Sequence, residues 1–172
     1  MYKKVAIIGA PGTGKTTLAN NLSKILNINP THIDGFHHLP NWEIRDKVER
    51  DKMILEVVKK DEWIIDGTYR ATLKQRLEKA DLIIWLDFST LAQIRGVIER
   101  YLKNKDKEKE EIPGCKEKMD KTFFTYVLKY NKEKRKIIVN NLNEINKEKL
   151  VVLKSRKQIN KWLKIFERSL NG

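Results

Sequence analysis

Between the apolar run Lys4–Gly9 (KVAIIG) and the amphipathic stretch Lys15–Leu26 lies Gly9-Ala10-Pro11-Gly12-Thr13-Gly14-Lys15-Thr16. The segment fits G-x-x-x-x-G-K-[ST] without a mismatch, and its flanks are a strand pattern before and a helix pattern after. Glycines there let backbone N–H groups turn inward around phosphate oxygens. The start of the following helix adds the positive end of its dipole. Lys15 can reach outer phosphates and the Thr16 hydroxyl can hold Mg²⁺. The pattern therefore predicts a nucleotide phosphate loop for ATP or GTP, built from Gly9, Pro11, Gly12, Thr13, Gly14, Lys15, Thr16 and Thr17.

The rest of the chain repeats that strand-then-helix alternation. Short apolar runs at Thr31–Asp34, Trp63–Gly67, Leu82–Phe88 and Leu150–Leu153 read as strands. Helical spacing covers Glu43–Lys60, Ala71–Lys79, Leu91–Leu102, Met119–Leu142 and Ser155–Leu170, the last with Ser155 as its cap. Five such units predict an α/β protein with a mostly parallel sheet covered by helices. The length, 172 residues, suits one domain. The mixed charge run Lys103–Glu111, ending at Ile112-Pro113-Gly114, reads as a solvated loop or as a lid, with the lid segment placed at about 101–118.

Charge and cysteine content narrow the surroundings. The net charge is +13, and residues 88–172 carry 22 Lys/Arg against 11 Asp/Glu, whereas residues 1–87 carry 14 against 12. A basic half attracts phosphate-bearing partners or is simply a lysine-rich solvated surface. One cysteine, Cys115, allows no internal disulfide, and no apolar run approaches twenty residues. A cytoplasmic location with no membrane contact is expected.

In an open α/β sheet ligands gather at the carboxyl ends of the strands. Three acids fall at expected strand ends: Asp34, Asp66 and Asp87. Asp34 is placed to orient or deprotonate an acceptor hydroxyl, or to cap a turn. Asp66, in Asp66-Gly67-Thr68-Tyr69-Arg70, is placed to hold Mg²⁺ through water, and Arg70 to grip a phosphate by its fork. Asp87 is an alternative magnesium acid. Arg95 and Arg100 fall on the helix after the fourth strand, about 140° apart. His37, His38 and Trp42 are acceptor-pocket candidates or a solvated loop. Tyr69 stacks on an acceptor ring or packs. The stripe Phe123, Phe124, Val127, Leu128 reads as core or lid-hinge packing.

The blocks GAPGTGKTTLA, HIDGFHHLPNW, EWIIDGTYR, ADLIIWLDF with Arg100 after it, and PGCKEK resemble, in this order, the small phosphate-loop kinases related to adenylate kinase. More closely, they resemble bacterial DNA topology modulation proteins. The resemblance implies a three-layer α/β/α fold with a five-stranded parallel sheet of order 2-3-1-4-5 and a small lid. It implies ATP as donor with Mg²⁺ as cofactor, and places the magnesium acid at Asp66 rather than Asp87. Arg70 then binds a phosphate of the acceptor, with Arg45 on the second helix as its partner. Arg95 and Arg100 then stabilise the transferred phosphoryl group. Thr68-Tyr69 departs from the Phe-Pro of monophosphate kinases, which alters the acceptor pocket, and the lid lacks zinc-binding cysteines. The expectation is a monomeric kinase of a small-molecule acceptor. A nucleic-acid-associated NTPase using the basic half, or a catalytically inert nucleotide sensor, are the alternatives; no helix-turn-helix or base-reading element is present.

Overall fold

The computed structural model describes residues 2–105, 107–109 and 111–171. Asp106 and Glu110, inside the expected lid, lie outside the described residues, as do both chain ends. Five strands form the main sheet: β1 (Lys4–Gly9), β2 (Pro30–His32), β3 (Trp63–Asp66), β4 (Leu82–Leu86) and β7 (Leu150–Leu153). They are parallel throughout, in the order β2-β3-β1-β4-β7. The fifth strand of this sheet is the seventh in the chain, because an antiparallel hairpin, β5 (Glu108–Lys109) with β6 (Ile112–Lys116), intervenes.

Continuous apolar runs make sense here because each central strand is covered on both faces. Ala6, Ile8, Ile65, Ile83 and Trp85 face one helical layer. That layer is α3 (Lys47–Lys59), α4 (Leu73–Lys79) and α7 (Arg135–Asn143), which contribute Ile54, Leu77 and Ile138 among others. Val5, Ile7, Ile64, Ile84 and Leu86 face the opposite layer. There α1 (Lys15–Leu26) supplies Leu18 and Leu22, and α8 (Arg156–Asn171) supplies Ile159 and Phe166. The period of two along the strands thus sorts an unbroken apolar run into two cores. Ser155 accepts the Gln158 N–H at 3.2 Å, as a cap of α8 should.

Four local expectations change. The second strand stops at His32, and Asp34 lies instead in the first turn of α2 (Ile33–His37). The helix expected from Glu43 starts only at Lys47, where Asp46 accepts the Val48 and Glu49 N–H groups at 2.9 and 3.0 Å. Glu43–Arg45 is therefore loop, tied back by the Ile44–His38 bridge. The long helix Met119–Leu142 is two helices, α6 (Lys121–Glu133) and α7, parted at Lys134 with φ −109° and ψ −29°. Neither Gly nor Pro marks that break. Finally, Ile112-Pro113-Gly114 is not a loop end but the start of β6.

The helix after β4, α5 (Thr90–Asn104), is capped by Ser89 and carries the phosphate loop on its flank. A Cβ on Gly12 would meet the Gln93 carbonyl oxygen and, at 2.8 Å, the Val97 nitrogen. A Cβ on Gly96 would meet the Gly12 carbonyl, with its carbon at 2.9 Å. Two glycines thus bring two backbones into direct contact. The hairpin β5–β6 packs on the segment Pro40–Trp42. Cys115, fully buried, accepts the Trp42 N–H at 3.2 Å and donates to the Leu39 carbonyl at 3.3 Å.

Candidate active site at the carboxyl edge of the sheet

The phosphate loop leaves β1 at Gly9 and enters α1 through Gly14, which is left-handed at φ +90°. Thr13 turns inward, donating its hydroxyl to the Ala10 carbonyl at 2.8 Å. Its side chain is used to shape the loop. Thr17 is exposed and Pro11 half-buried. Lys15 folds back, and its Nζ donates to the Ala10 carbonyl at 2.9 Å. Burial pulls the Lys15 pKa down, against the pull of Asp34 and Asp66, while Arg100 and Lys109 push the same way as burial. These five groups therefore share one electrostatic neighbourhood.

Asp66 ends β3 and is nearly fully buried. Its Oδ2 accepts the Thr16 hydroxyl at 3.0 Å, and its Oδ1 lies 2.7 Å from His32 Nδ1. Burial lowers the His32 pKa, but the Asp66 hydrogen bond and charge outweigh it and leave the value raised. An alcohol oxygen and a carboxylate held together beneath a phosphate loop suit a hard divalent cation such as Mg²⁺. Thr16 and Asp66 are the residues that would hold it. Asp87 is committed elsewhere: its two oxygens accept Arg135 Nε and Nη2 at 2.8 and 2.9 Å.

Asp34 is exposed and has no side-chain hydrogen bond among the described residues. Its charge reaches Lys15, His32, His37 and His38. The two histidines meet edge to face at 4.5 Å, and His38 meets Trp42 likewise at 5.1 Å. Asn41 and Trp42 are both left-handed, at φ +62° and +64°, a strained pair of non-glycine residues directly under the hairpin. Lys109 of that hairpin lies 5.6 Å over the Trp42 ring.

The arginines divide. Arg100 is drawn to the end of the hairpin: its Nη2 lies 3.1 Å from Glu117 Oε1, and its Nε has no partner among the described residues. Arg95 is exposed and paired with Glu99 at 2.7 Å, and Arg156 shares that carboxylate. Arg45 lies in the loop before α3 rather than on a helix. It is occupied by Glu49 at 2.6 Å and the Phe36 carbonyl at 3.0 Å, so it does not meet Arg70. Arg70 opens the short turn Arg70–Thr72 and is exposed, its side chain with no hydrogen bond or ion pair among the described residues. In the place foreseen for Arg45 stands Arg50. It is buried, donates to His37 Nδ1 at 2.5 Å, and lies 4.0 Å over the Tyr69 ring. Sequence reasoning passed over Arg50, Arg76, Lys109 and Glu117. Arg50 had a readable signal, since it shares a helix register with the core residues Ile54, Val57 and Val58. The stripe expected as packing is mixed: Val127 is buried, Leu128 exposed.

The three layers, the strand order and the loop between β1 and α1 define a P-loop kinase fold. Residues 5–88, just under half of the chain, match the ATPase family associated with various cellular activities (AAA). The fold is similar to that of a shikimate kinase from Bacteroides thetaiotaomicron, whose crystal structure aligns over 100% of both chains with a TM-score of 0.57 and 14% identity. No curated protein matches the sequence.

Proposed function

We propose that this protein is an ATP-dependent phosphotransferase that moves the terminal phosphoryl group of ATP to a small-molecule acceptor, a nucleotide, a nucleoside or another small alcohol. The observation that carries this reading is the Thr16–Asp66 hydrogen bond under the phosphate loop, with Lys15, Asp34 and Arg100 in the same neighbourhood. The likeness to a protein named as a kinase supports it, and so does the order of sequence blocks shared with the topology modulation protein group, in which we place the chain. Gly9–Thr17 cradle the phosphates of ATP. Mg²⁺ on Thr16, and through water on Asp66, would neutralise charge on the outer phosphates. Lys15 exchanges the Ala10 carbonyl for a phosphate oxygen. Arg100 leaves Glu117 to face the transferred group. Asp34 accepts a hydrogen bond from the acceptor hydroxyl and takes its proton. Arg70, and Arg50 in place of Arg45, answer an anionic group on the acceptor. Arg95 and Arg156 flank the donor side of α5. We further propose that the protein works as a cytoplasmic monomer.

The test is transfer from Mg-ATP to a pool of nucleoside monophosphates, nucleosides and sugar-like alcohols, read by mass spectrometry. The expected result is a phosphorylated product whose formation falls by at least about 100-fold in Lys15→Ala. An unchanged rate in that variant sinks the assignment. Product from monophosphates supports Arg70 as a phosphate clamp; product from alcohols puts the weight on Asp34.

A second reading has its own observation. Residues 121–172 hold 14 Lys/Arg against four Asp/Glu. On α8 the exposed Lys157, Lys161, Lys164 and Arg168 follow one face, with no ion pair among the described residues. A nucleic-acid-associated NTPase would use that face. Stimulation of ATP hydrolysis by DNA, with no small-molecule product, would favour it.

A further inference from the structure

Arg76 on α4 is the most completely buried charge among the described residues. Among the described residues no carboxylate touches it. Its Nη1 donates to the Gly67 carbonyl at 2.7 Å, its Nη2 to the Tyr69 carbonyl at 2.6 Å, and its Nε to the Thr72 carbonyl at 3.3 Å. Burial pushes its pKa down to about 9, with the Asp66 charge acting the other way. Removing a guanidinium from water without an anion is costly, and an apolar side chain of the same length would fill the space without that cost. A planar fork does one thing an apolar side chain cannot: it fixes several carbonyls in one plane.

The carbonyls it fixes belong to the loop that carries the site. Asp66, at the head of that loop, bonds Thr16. Thr68 grips the phosphate loop from both sides, accepting the Gly9 N–H at 2.9 Å and donating to the Gly9 carbonyl at 2.7 Å. Tyr69 lies under Arg50, and Arg70 follows. The cation end and the acceptor end of the site are therefore set by one short loop, and that loop hangs on Arg76.

We propose that Arg76 is a positioning residue that holds the loop Asp66–Arg70 in register with the phosphate loop. The proposal rests on the function proposed above for the assignment of Asp66 and Arg70, but its first test does not. Hydrogen exchange of the full chain should show the Gly67 amide, which donates to the Ile7 carbonyl at 3.0 Å, exchanging about tenfold faster in Arg76→Lys, with the amides inside β1 and β4 unchanged. Arg76→Met, which keeps the length and removes the donors, should give the same local loss. ATP titrated in EDTA should bind wild type and Arg76→Lys alike. The gain in ATP affinity on adding Mg²⁺ should fall about tenfold in the variant. Unchanged exchange in the loop overturns the proposal. So does equal loss of protection in β1 and β4, which would make Arg76 an ordinary core residue. If wild type itself gains nothing from Mg²⁺, the cation reading of Thr16 and Asp66 fails, and the loop exchange still decides the role of Arg76.

Discussion

His37 and His38 are half-buried next to cations, and both carry lowered pKa values. For His37 burial is the main cause, then Arg50; for His38 burial, then His37, with Lys109 adding to it and Asp34 opposing both. The unfolded chain therefore binds protons on these rings at a pH where the folded chain does not. Stability from this source is complete above the unfolded value of 6.5 and is lost as pH falls below it towards the folded values. His32, whose value is raised, acts with the opposite sign, so thermal melts between pH 7.5 and 5 should show the midpoint falling more steeply in wild type than in His37→Phe with His38→Phe; an equal slope would refute the assignment. At this scale the sequence exposed residue types but not their partners. Asp66 and Asp87 look alike at strand ends, and only Arg135, 48 positions away, takes Asp87 out of the site. Arg45 and Arg50 look alike too, until Glu49 and the Phe36 carbonyl claim the first.

At the scale of elements, α5 both leads into the hairpin β5–β6 and walls the phosphate loop. Its Gly96 lies on the Gly12 carbonyl, so a methyl there collides first with backbone, which cannot swing aside as the Arg156 side chain can. Gly96→Ala should destabilise the fold by about 1–3 kcal/mol, seen as a melting midpoint about 2–10 °C lower. It should also weaken ATP binding, measured by titration; ATP affinity equal to wild type would show that the contact does not shape the loop. The strands and α1 were legible because an apolar run between turn residues, or a helical stripe after Gly-Lys-Thr, leaves one reading. The hairpin was not. β5 is two charged residues and β6 carries Pro113 and Gly114, which read as a turn, and what holds them is contact with Pro40–Trp42 and the hydrogen bonds of Cys115, distant in sequence. The break at Lys134 was hidden for a related reason: apolar spacing runs on across it, and Tyr130 and Ile138 on its two sides pack in the same core.

Over the whole molecule the charge is divided as the chain is, with the basic surface on the elements after α5. If α8 meets nucleic acid through Lys157, Lys161, Lys164 and Arg168, the logarithm of affinity should fall against the logarithm of salt with a slope of about −3 to −4. Lys161→Glu with Lys164→Glu should abolish that binding in a fluorescence-anisotropy titration while leaving ATP binding unchanged. A flat salt response would leave α8 as a solvated face. The contact between Gly12 and Gly96 bears on something different, the routes by which such a sequence can drift. A Cβ at either position strikes main-chain atoms of the other element, so no second substitution at the partner makes room for the first. Among descendants of this chain those two positions should stay glycine together, whatever else in the sequence changes.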